Sequence, residues 1–344
     1  MIDLHRNKLE IRFPEIHPYA RVDIEFKRTL RVPDNSENHY LPPDLGNFPL
    51  RHIEDIDLKE KNHLKKRGGV IMPMFQADAL WINFFAIEYP IAIKIGTGKI
   101  CAISGETWTA KLSQNPQDYV VVPGQEWLDG YNIDKTGTVR QFVAAPLGKG
   151  LTVEEQLNMS SEVGGIQIQA FPLKPEVYRK KFSPKLMRAS LAEESYSIEP
   201  AAEMGIAQGG MIHQEIYADE FSLNDWDLKT TERCFVTIAN ANQWMSLTGE
   251  TPPESPISAK EYTDAGLPWF DYYDEDKEAI DGALKLGKVK SASEILSEKN
   301  INVNEINKSN PFFSESIELI KRRMNTTRYL NEKRKAVSNP KSGW

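Results

Sequence analysis

Apolar and polar residues alternate along residues 22–32, and this alternation predicts a β-strand. Arg28 alone interrupts the apolar face, which carries Val22, Ile24, Phe26, Leu30 and Val32. A period of two residues is typical of a strand with one face in the core and the other in solvent. The adjacent prolines Pro42 and Pro43 then predict a loop, because proline cannot donate to a strand ladder.

Short runs of β-branched and aromatic residues recur between residues 70 and 239, separated by turn-forming residues. These runs are 70–75, 79–87, 91–95, 100–103, 119–122, 165–171, 211–218 and 233–239. Hairpins are predicted at 94–99 and 133–139, where glycines supply the positive φ that tight turns require. Strands at this spacing favour an antiparallel sandwich or barrel core. The predicted fold class is therefore β-rich α+β, with a helical C-terminal extension.

The pattern changes at about residue 250. Residues 251–256 are rich in proline and are interpreted as a linker. Helix-like segments follow at 258–265, 274–287, 292–299 and 312–335. We therefore predict a β-rich core domain over 1–250 and a linker with a helical, charged C-terminal extension over 251–344. Residues 174–208 are polar and punctuated by proline, and they are predicted to run over the surface of the core.

Composition favours a folded, cytoplasmic protein. A formal net charge of −7 disfavours nucleic acid and anionic membranes as partners, because phosphate binding needs a basic face. No stretch approaches the roughly 18 uninterrupted apolar residues of a membrane span, and the N-terminal segment lacks the apolar core of a secretory signal. Cys101 and Cys234 lie among apolar neighbours. They are predicted to be buried free thiols rather than a disulfide or a reactive nucleophile.

Glycine-rich loops raise the question of phosphate binding. The loop 96–99 lacks the spacing and the Ser/Thr of a P-loop, so it is predicted to be a hairpin turn. Thr152 and Glu155 form a capping-box pattern, which predicts a helix start at Val153 after a glycine loop. Backbone N–H groups at such a junction can bind an anion. The alternative is an ordinary junction between a loop and a helix.

Segment 139–169 holds the candidate ligand-binding residues. It combines cationic, amide and hydroxyl side chains with four glycines, which let the backbone approach a ligand closely. The candidates are Arg140, Gln141, Gly148, Lys149, Gly150, Thr152, Gly164, Gly165 and Gln167. The same glycines serve tight packing where two loops cross, and this alternative stays open.

Motifs of metal and nucleophilic chemistry do not occur in the sequence. The six histidines form no HExxH and no His/Cys pair at metal-ligand spacing, so no metal and no cofactor are predicted. A GxSxG elbow is also missing, and neither cysteine lies in a known catalytic signature.

The C-terminal region is polarised in charge. Acidic residues are concentrated over 271–281, and basic residues over 321–335 follow an apolar stripe at helical spacing. An amphipathic basic helix is suited to lie against an acidic surface. We expect this tail to dock on its own chain, on a second subunit for self-association, or on a separate protein partner.

Several strings resemble a family of uncharacterised bacterial proteins. They are RGGVIMPMFQADALWINF (67–84), QDYVVVPGQEWLDG (117–130), VRQFVAAPLGKGLTVEEQ (139–156), EVGGIQIQ (162–169) and AGLPWFDYYDED (265–276). The resemblance spans most of residues 20–285 and excludes the tail after about residue 290. It implies that these segments are characteristic of the group and carries no activity, cofactor or catalytic residue.

Two hypotheses of function follow from the sequence. The leading one is a non-enzymatic binding or scaffold protein of the bacterial cytoplasm, with the charged tail as a docking element. The alternative is an enzyme that acts on an anionic or phosphorylated small molecule at the loops between Gly148 and Gly165, through Arg140, Lys149 and Thr152. A concave pocket around those three side chains would favour the enzyme.

Overall fold

The structure is a computed structural model and describes residues 1–56, 62–86, 88–134, 137–157, 163–182, 203–271, 277–300, 320 and 335–337. Its strands are β1 (Ile2–His5), β2 (Lys8–Arg12), β3 (Arg21–Thr29), β4 (Asn38–His39), β5 (Arg51–His52), β6 (Val70–Pro73), β7 (Ala79–Phe85), β8 (Ile91–Thr97), β9 (Ile100–Cys101), β10 (Val120–Val122), β11 (Trp127–Leu128), β12 (Gly130–Asn132), β13 (Thr138–Pro146), β14 (Ile166–Pro172), β15 (Glu203–His213), β16 (Glu232–Ala239), β17 (Trp269–Asp271) and β18 (Lys335–Val337). The α-helices are α1 (Asn62–Arg67), α2 (Val153–Leu157), α3 (Pro175–Lys181), α4 (Ala241–Thr248), α5 (Ala259–Asp264) and α6 (Ala292–Glu298). Single 3-10 turns lie at Ile53–Asp55, Leu223–Asp225 and Leu286–Lys288.

One large sheet of 16 strands dominates the fold. Its main path runs β1-β2-β3-β7-β13-β15-β16-β14-β8-β10, and every neighbouring pair along it is antiparallel. Strands β4 and β6 pair in parallel with β15 and β16, off the main path. Within the described residues the path has two ends, so the sheet is not closed. The β-rich and antiparallel part of the predicted fold class is confirmed, but a closed barrel is not formed.

Large aromatic rings and both cysteines fill the core. The side chains of Trp81, Trp226 and Trp269 are fully buried. Cys101 and Cys234 are buried and unpaired with each other, as predicted. Burial raises the pKa of the Cys234 thiol to about 12 and also raises that of Cys101. Both thiols therefore stay protonated and unreactive at neutral pH.

Strand β3 is buried on both faces, which corrects the prediction of a half-buried strand. Lys27 and Glu25 lie on the face predicted to meet solvent, yet they are only 5% and 6% exposed. The Lys27 ammonium lies 3.0 Å from Glu25 Oε2 and 3.2 Å from Asp44 Oδ2. Burial alone would raise the pKa of Glu25, but the ammonium groups of Lys27 and Lys8 outweigh it and hold that pKa at about 2. Paired charges therefore allow this polar strand face to be buried.

The predicted C-terminal extension is helical only in part. Helices α5 and α6 confirm the helices predicted at 258–265 and 292–299. The helix predicted over 274–287 is wrong for residues 277–285, because 278–280 pair with 216–218 through the bonds Ala218 N–H to Glu278 O and Ile280 N–H to Ile216 O. Residues 272–276 lie outside the described residues. Pairing with a distant segment has overridden the local helix propensity of this stretch.

The tail contributes one strand to the described part of the chain. Strand β18 pairs antiparallel with β17, so Lys335, predicted as the end of a helix, is extended instead. Ile320 is helical and buried, and the rest of the helix predicted at 312–335 lies outside the described residues. Tyr262, Trp269 and Leu286 pack into the same core as the large sheet. Part of the predicted extension is thus built into the core.

No helix in the described ranges is long and apolar enough to cross a bilayer.

Two glutamine side chains hold segment 215–219 in place. The Gln125 amide accepts a hydrogen bond from Tyr217 N (3.0 Å) and donates one to Glu215 O (3.2 Å). The Gln117 amide accepts from Asp219 N (2.9 Å) and donates to Tyr217 O (3.0 Å). A parallel strand would bind the same pairs of main-chain atoms, one carbonyl and the N–H two residues later. We call Gln117 and Gln125 the glutamine clamps.

Asp78 directly precedes β7 and lies beside the predicted linker of residues 251–256. Its carboxylate accepts hydrogen bonds from Phe75 N (3.0 Å) and Ser255 Oγ (3.2 Å). The surrounding protein desolvates this carboxyl and raises its pKa to about 6, against the opposing effects of Phe75 N–H and the Arg28 guanidinium. Arg28 itself is buried and donates to Leu45 O (3.4 Å) and Glu254 O. The junction thus ties residues 254–255 to the sheet.

We expect Asp78 to make the protein less stable as the pH rises from about 4 to 6. Within this window the folded state holds the Asp78 proton more tightly than the unfolded chain, so raising the pH favours unfolding. The unfolding free energy of the wild type minus that of Asp78→Asn should fall by about 1 to 3 kcal/mol between pH 4 and pH 7. Urea unfolding at several pH values measures it.

Asp227→Asn is the control for this experiment. Burial alone would raise the pKa of Asp227, but the N–H groups of Thr230 and Lys229 outweigh it and lower that pKa. A lowered carboxyl pKa adds stability that is lost as the pH falls, so its difference from wild type should change in the opposite direction. An Asp78→Asn difference that stays constant with pH would contradict the prediction.

Candidate functional site

Two of the glycine loops predicted from the sequence meet at the side chain of Glu154. Glu154 is 2% exposed and lies in the first turn of α2. Its Oε1 accepts a hydrogen bond from Lys99 N (2.9 Å), and its Oε2 accepts one from Gly164 N (2.9 Å). The loops 96–99 and 163–165 are therefore joined by a carboxylate of the chain itself.

A second carboxylate serves the loop before α2. Glu155 accepts hydrogen bonds from Gly150 N (3.0 Å), Thr152 N (3.0 Å) and Thr152 Oγ1 (2.7 Å). Thr152 Oγ1 in turn accepts from Glu155 N (3.2 Å), which completes the predicted capping box. Burial alone would raise the pKa of Glu155, but these hydrogen bonds outweigh it and lower that pKa. The ionised form of Glu155 is thus stabilised, and it serves as the hydrogen-bond acceptor of this loop.

Gly164 and Gly165 are sites of close backbone packing. A Cβ on Gly164 would lie 2.7 Å from Met204 O, and one on Gly165 would lie 2.6 Å from Val236 O. Both residues have positive φ, +61° and +64°. They bring the start of β14 against β15 and β16, which is the tight packing that the sequence left open as an alternative.

The remaining candidates contact other parts of the chain. Gln167 is 3% exposed, donates to Gly98 O and accepts from Arg233. Gln141 is fully buried and clasps segment 30–32 through Leu30 O (2.8 Å) and Val32 N (3.0 Å). Arg140 donates to Asp34 Oδ1 and Gly209 O, both at 3.3 Å. These side chains have structural hydrogen-bond partners within the chain.

Lys149 and Gly148 lie on the exposed part of the same loop. The Lys149 side chain is exposed, and its carbonyl oxygen accepts a hydrogen bond from Lys299 Nζ (2.7 Å). Nothing lies within 4 Å of a Cβ placed on Gly148. Of the three side chains assigned to the enzyme alternative, Lys149 is therefore solvated, Thr152 is paired with Glu155, and Arg140 is paired with Asp34.

A small open cavity lies elsewhere, between the turn before β11 and segment 213–217. Leu41, Trp127 and Tyr217 form its apolar wall, and each is less than a tenth exposed. Its interior has room for a group of about the size of a water molecule. We call it the 127/217 cavity.

Titratable side chains line the 127/217 cavity. Glu126, His213 and Glu215 are lining residues, and each is partly exposed. Asp271 lies beside them, with its Oδ1 3.8 Å from His213 Nδ1. Two of the lining residues, Glu126 and Glu215, are acidic, so the cavity favours a cation or a hydrogen-bond donor.

The wall of the 127/217 cavity is rigidly supported. Gln125 is a glutamine clamp of segment 215–219, and Gln214 bonds to Asp129 N (2.8 Å) and Trp127 O (3.3 Å). On the outer edge of the same segment, residues 278–280 pair with 216–218. The main chain around the cavity is therefore fixed from both sides.

Lys277, at the start of this outer segment, places its ammonium against the cavity wall. Its Nζ donates to Gly124 O (3.1 Å) and lies 4.9 Å from the centre of the Tyr217 ring. Gly124 and Tyr217 both line the 127/217 cavity. A carbonyl oxygen and an aromatic face are common partners of an ammonium group.

The sequence did not single out the 127/217 cavity. His213, Glu215 and Tyr217 alternate in a run predicted as a strand, and this alternation is the one local signal that they share a face. These residues lie near Trp127 because hydrogen bonds join segments that are about 90 residues apart in the sequence. A local sequence pattern cannot predict such a contact. Among the described residues no group of three His, Cys, Asp or Glu has the arrangement of a metal site.

Comparisons of the chain with models of protein families, with curated proteins and with solved structures found no match.

Proposed function

We propose that the chain is a non-enzymatic binding protein of the bacterial cytoplasm and that its ligand site is the 127/217 cavity. The observation that carries the proposal is a concave, aromatic-walled site with two acidic residues among its lining, held by main-chain hydrogen bonds. Sites that combine apolar walls with a few fixed polar groups are typical of ligand recognition. The two buried free thiols support a reducing compartment.

The alternative of an enzyme for anionic substrates has less support. An anionic substrate at the loops between Gly148 and Gly165 would need their backbone N–H groups, and Glu154 and Glu155 already accept hydrogen bonds from Gly164, Gly150 and Thr152. Displacing a buried carboxylate would leave that carboxylate without its donors. The net charge of −7 also favours a cationic partner over an anionic one.

We also propose that the charged tail docks on its own chain rather than on a second subunit. The pairing of Lys335–Val337 with Trp269–Asp271 supports this, and it brings Lys335 opposite Asp271 in the register. Nucleic acid is not a proposed partner, because the chain is acidic overall.

A fragment screen by NMR tests the proposed site. A panel of small cationic, neutral and anionic fragments is added to the full chain labelled with ¹⁵N, and chemical-shift changes are mapped. We expect the largest changes at the side-chain amides of Gln125 and Gln214 and at the indole of Trp127. Changes centred on residues 148–165 would support the enzyme alternative instead. If no fragment of any charge changes the cavity signals, the proposed function is wrong.

A further inference from the structure

We propose that the ligand of the 127/217 cavity is a primary ammonium group, presented by a lysine side chain of a protein partner. The inference rests on the proposed function, because it assumes that this cavity is the binding site. It adds the chemical class of the ligand and the residue of this chain that opposes its binding.

Size and charge limit the class of ligand. The interior has room for a group of about the size of a water molecule, which suits a compact ammonium group better than a planar guanidinium. Glu126 and Glu215 on the lining supply negative charge, and Tyr217 and Trp127 supply ring surfaces. An ammonium is a compact point charge with three donors, which carboxylates and carbonyl oxygens satisfy.

The chain itself shows how an ammonium is recognised on this wall. Lys277 Nζ binds the carbonyl oxygen of Gly124 and faces the ring of Tyr217, two groups that also line the cavity. The aliphatic stem of a lysine packs on an aromatic surface while its charged end stays at a polar site. A lysine of a partner protein would likewise pack its stem on an aromatic ring of the wall, with the acidic residues of the lining as the acceptors for its ammonium group.

Lys277 also sets a limit on affinity. Its positive charge lies on the wall that the incoming ammonium must approach, and two like charges a few ångströms apart repel each other. Removing the charge of Lys277 should therefore strengthen binding of a cation. Binding of a neutral ligand should not respond in this way.

The first test uses n-butylammonium, which has the size and charge of a lysine side chain, and follows the indole and amide signals of the cavity by NMR. We expect Lys277→Met to bind n-butylammonium at least about threefold more tightly than wild type. Lys285→Met is the matched control, because Lys285 lies in the same segment but pairs with Glu106 (2.5 Å). It should bind like wild type. Glu215→Gln should weaken binding.

The outcomes separate the two proposals. If n-butanol or butyrate binds at the cavity as tightly as n-butylammonium, the ammonium assignment is overturned and the site stands. Equal affinities of wild type, Lys277→Met and Lys285→Met would overturn the role of Lys277. Thermal melting of each variant establishes that it is folded, and Lys277→Gln serves as a second uncharged variant.

The source of the ammonium is tested with two further probes. Nα-acetyl-lysine methylamide represents a lysine in a protein, and spermidine represents a free polyamine. We expect the lysine derivative to bind, and its Nε-acetylated form to lose binding because acetylation removes the charge. Tighter binding of spermidine than of the lysine derivative would overturn the assignment to a protein partner.

Discussion

Replacing Lys94 with methionine is expected to lower the free energy of unfolding by about 3 to 5 kcal/mol. Lys94 is 1% exposed, and its ammonium donates to Asp118 Oδ2 (2.5 Å), Lys111 O (2.5 Å) and Thr109 Oγ1 (3.3 Å). Burial raises the pKa of Asp118 above its ordinary value, although the hydrogen bond from Lys94 opposes this shift. Without Lys94, the Oδ2 atom of the buried Asp118 loses its charged donor, and only the hydrogen bond from Ser113 N to Oδ1 (2.9 Å) remains to that carboxylate. Guanidinium-induced unfolding measures the loss.

A surface ion pair provides the control for Lys94. Lys260 and Asp264 lie four residues apart on α5 at the same distance, 2.5 Å, but their side chains are 67% and 62% exposed. Lys260→Met should cost less than about 0.5 kcal/mol, because solvent screens the pair. The Lys94→Met/Asp118→Asn double variant should regain part of the loss, since it leaves no charge unpaired. A Lys94→Met loss as small as that of Lys260→Met would refute a structural role for the buried pair.

Gly165→Val is expected to destabilise the protein by about 2 to 5 kcal/mol. A valine at φ +64° is strained by about 1 to 2 kcal/mol, and its Cβ would lie 2.6 Å from Val236 O, so the overpacking adds about 1 to 3 kcal/mol. The obstructing atom belongs to the backbone of a central strand and cannot turn aside. Thermal and denaturant unfolding both report the change.

Gly148→Val separates the two causes. Gly148 has a similar φ of +77°, but a Cβ at this position would meet nothing within 4 Å, so only the backbone strain of about 1 to 2 kcal/mol applies. We expect the Gly165 variant to lose clearly more stability than the Gly148 variant. Equal losses would mean that close packing at Gly165 contributes nothing.

Much of the sheet could be predicted from local patterns, and its glycine-containing centre could not. The hairpin at 94–99 is found as β8 and β9, with Gly98 at φ +55° in the turn. Strand β15, however, begins at Glu203, within the stretch predicted to run over the surface. Its glycines weaken the strand pattern, yet a Cβ on Gly209 would lie 2.5 Å from Val143 Cγ2 and one on Gly210 would lie 2.1 Å from Pro33 O. Close packing by distant residues requires these glycines, and a local pattern does not reveal it.

The candidate residues of the sequence illustrate a similar limit. Glycines, a capping box and nearby polar side chains do indicate loops with backbone N–H groups to satisfy, and the structure has such loops. The pattern does not say whether the acceptor is a ligand or a side chain. Here the acceptors are Glu154 and Glu155, two acidic residues in the first turn of α2. Only three-dimensional structure distinguishes the two cases.

The glutamine clamps have a consequence for how this protein can diversify. Segment 215–219 is held through its main chain, by Gln117 and Gln125 on one edge and by residues 278–280 on the other. The side chains at 215 and 217 are therefore available to change under selection while their positions are kept. A substitution of either clamp to glutamate would instead set a carboxylate against two carbonyl oxygens, those of residues 119 and 217 at Gln117 and those of residues 127 and 215 at Gln125. The side chains of the cavity wall can thus vary more readily than the amides that hold its main chain.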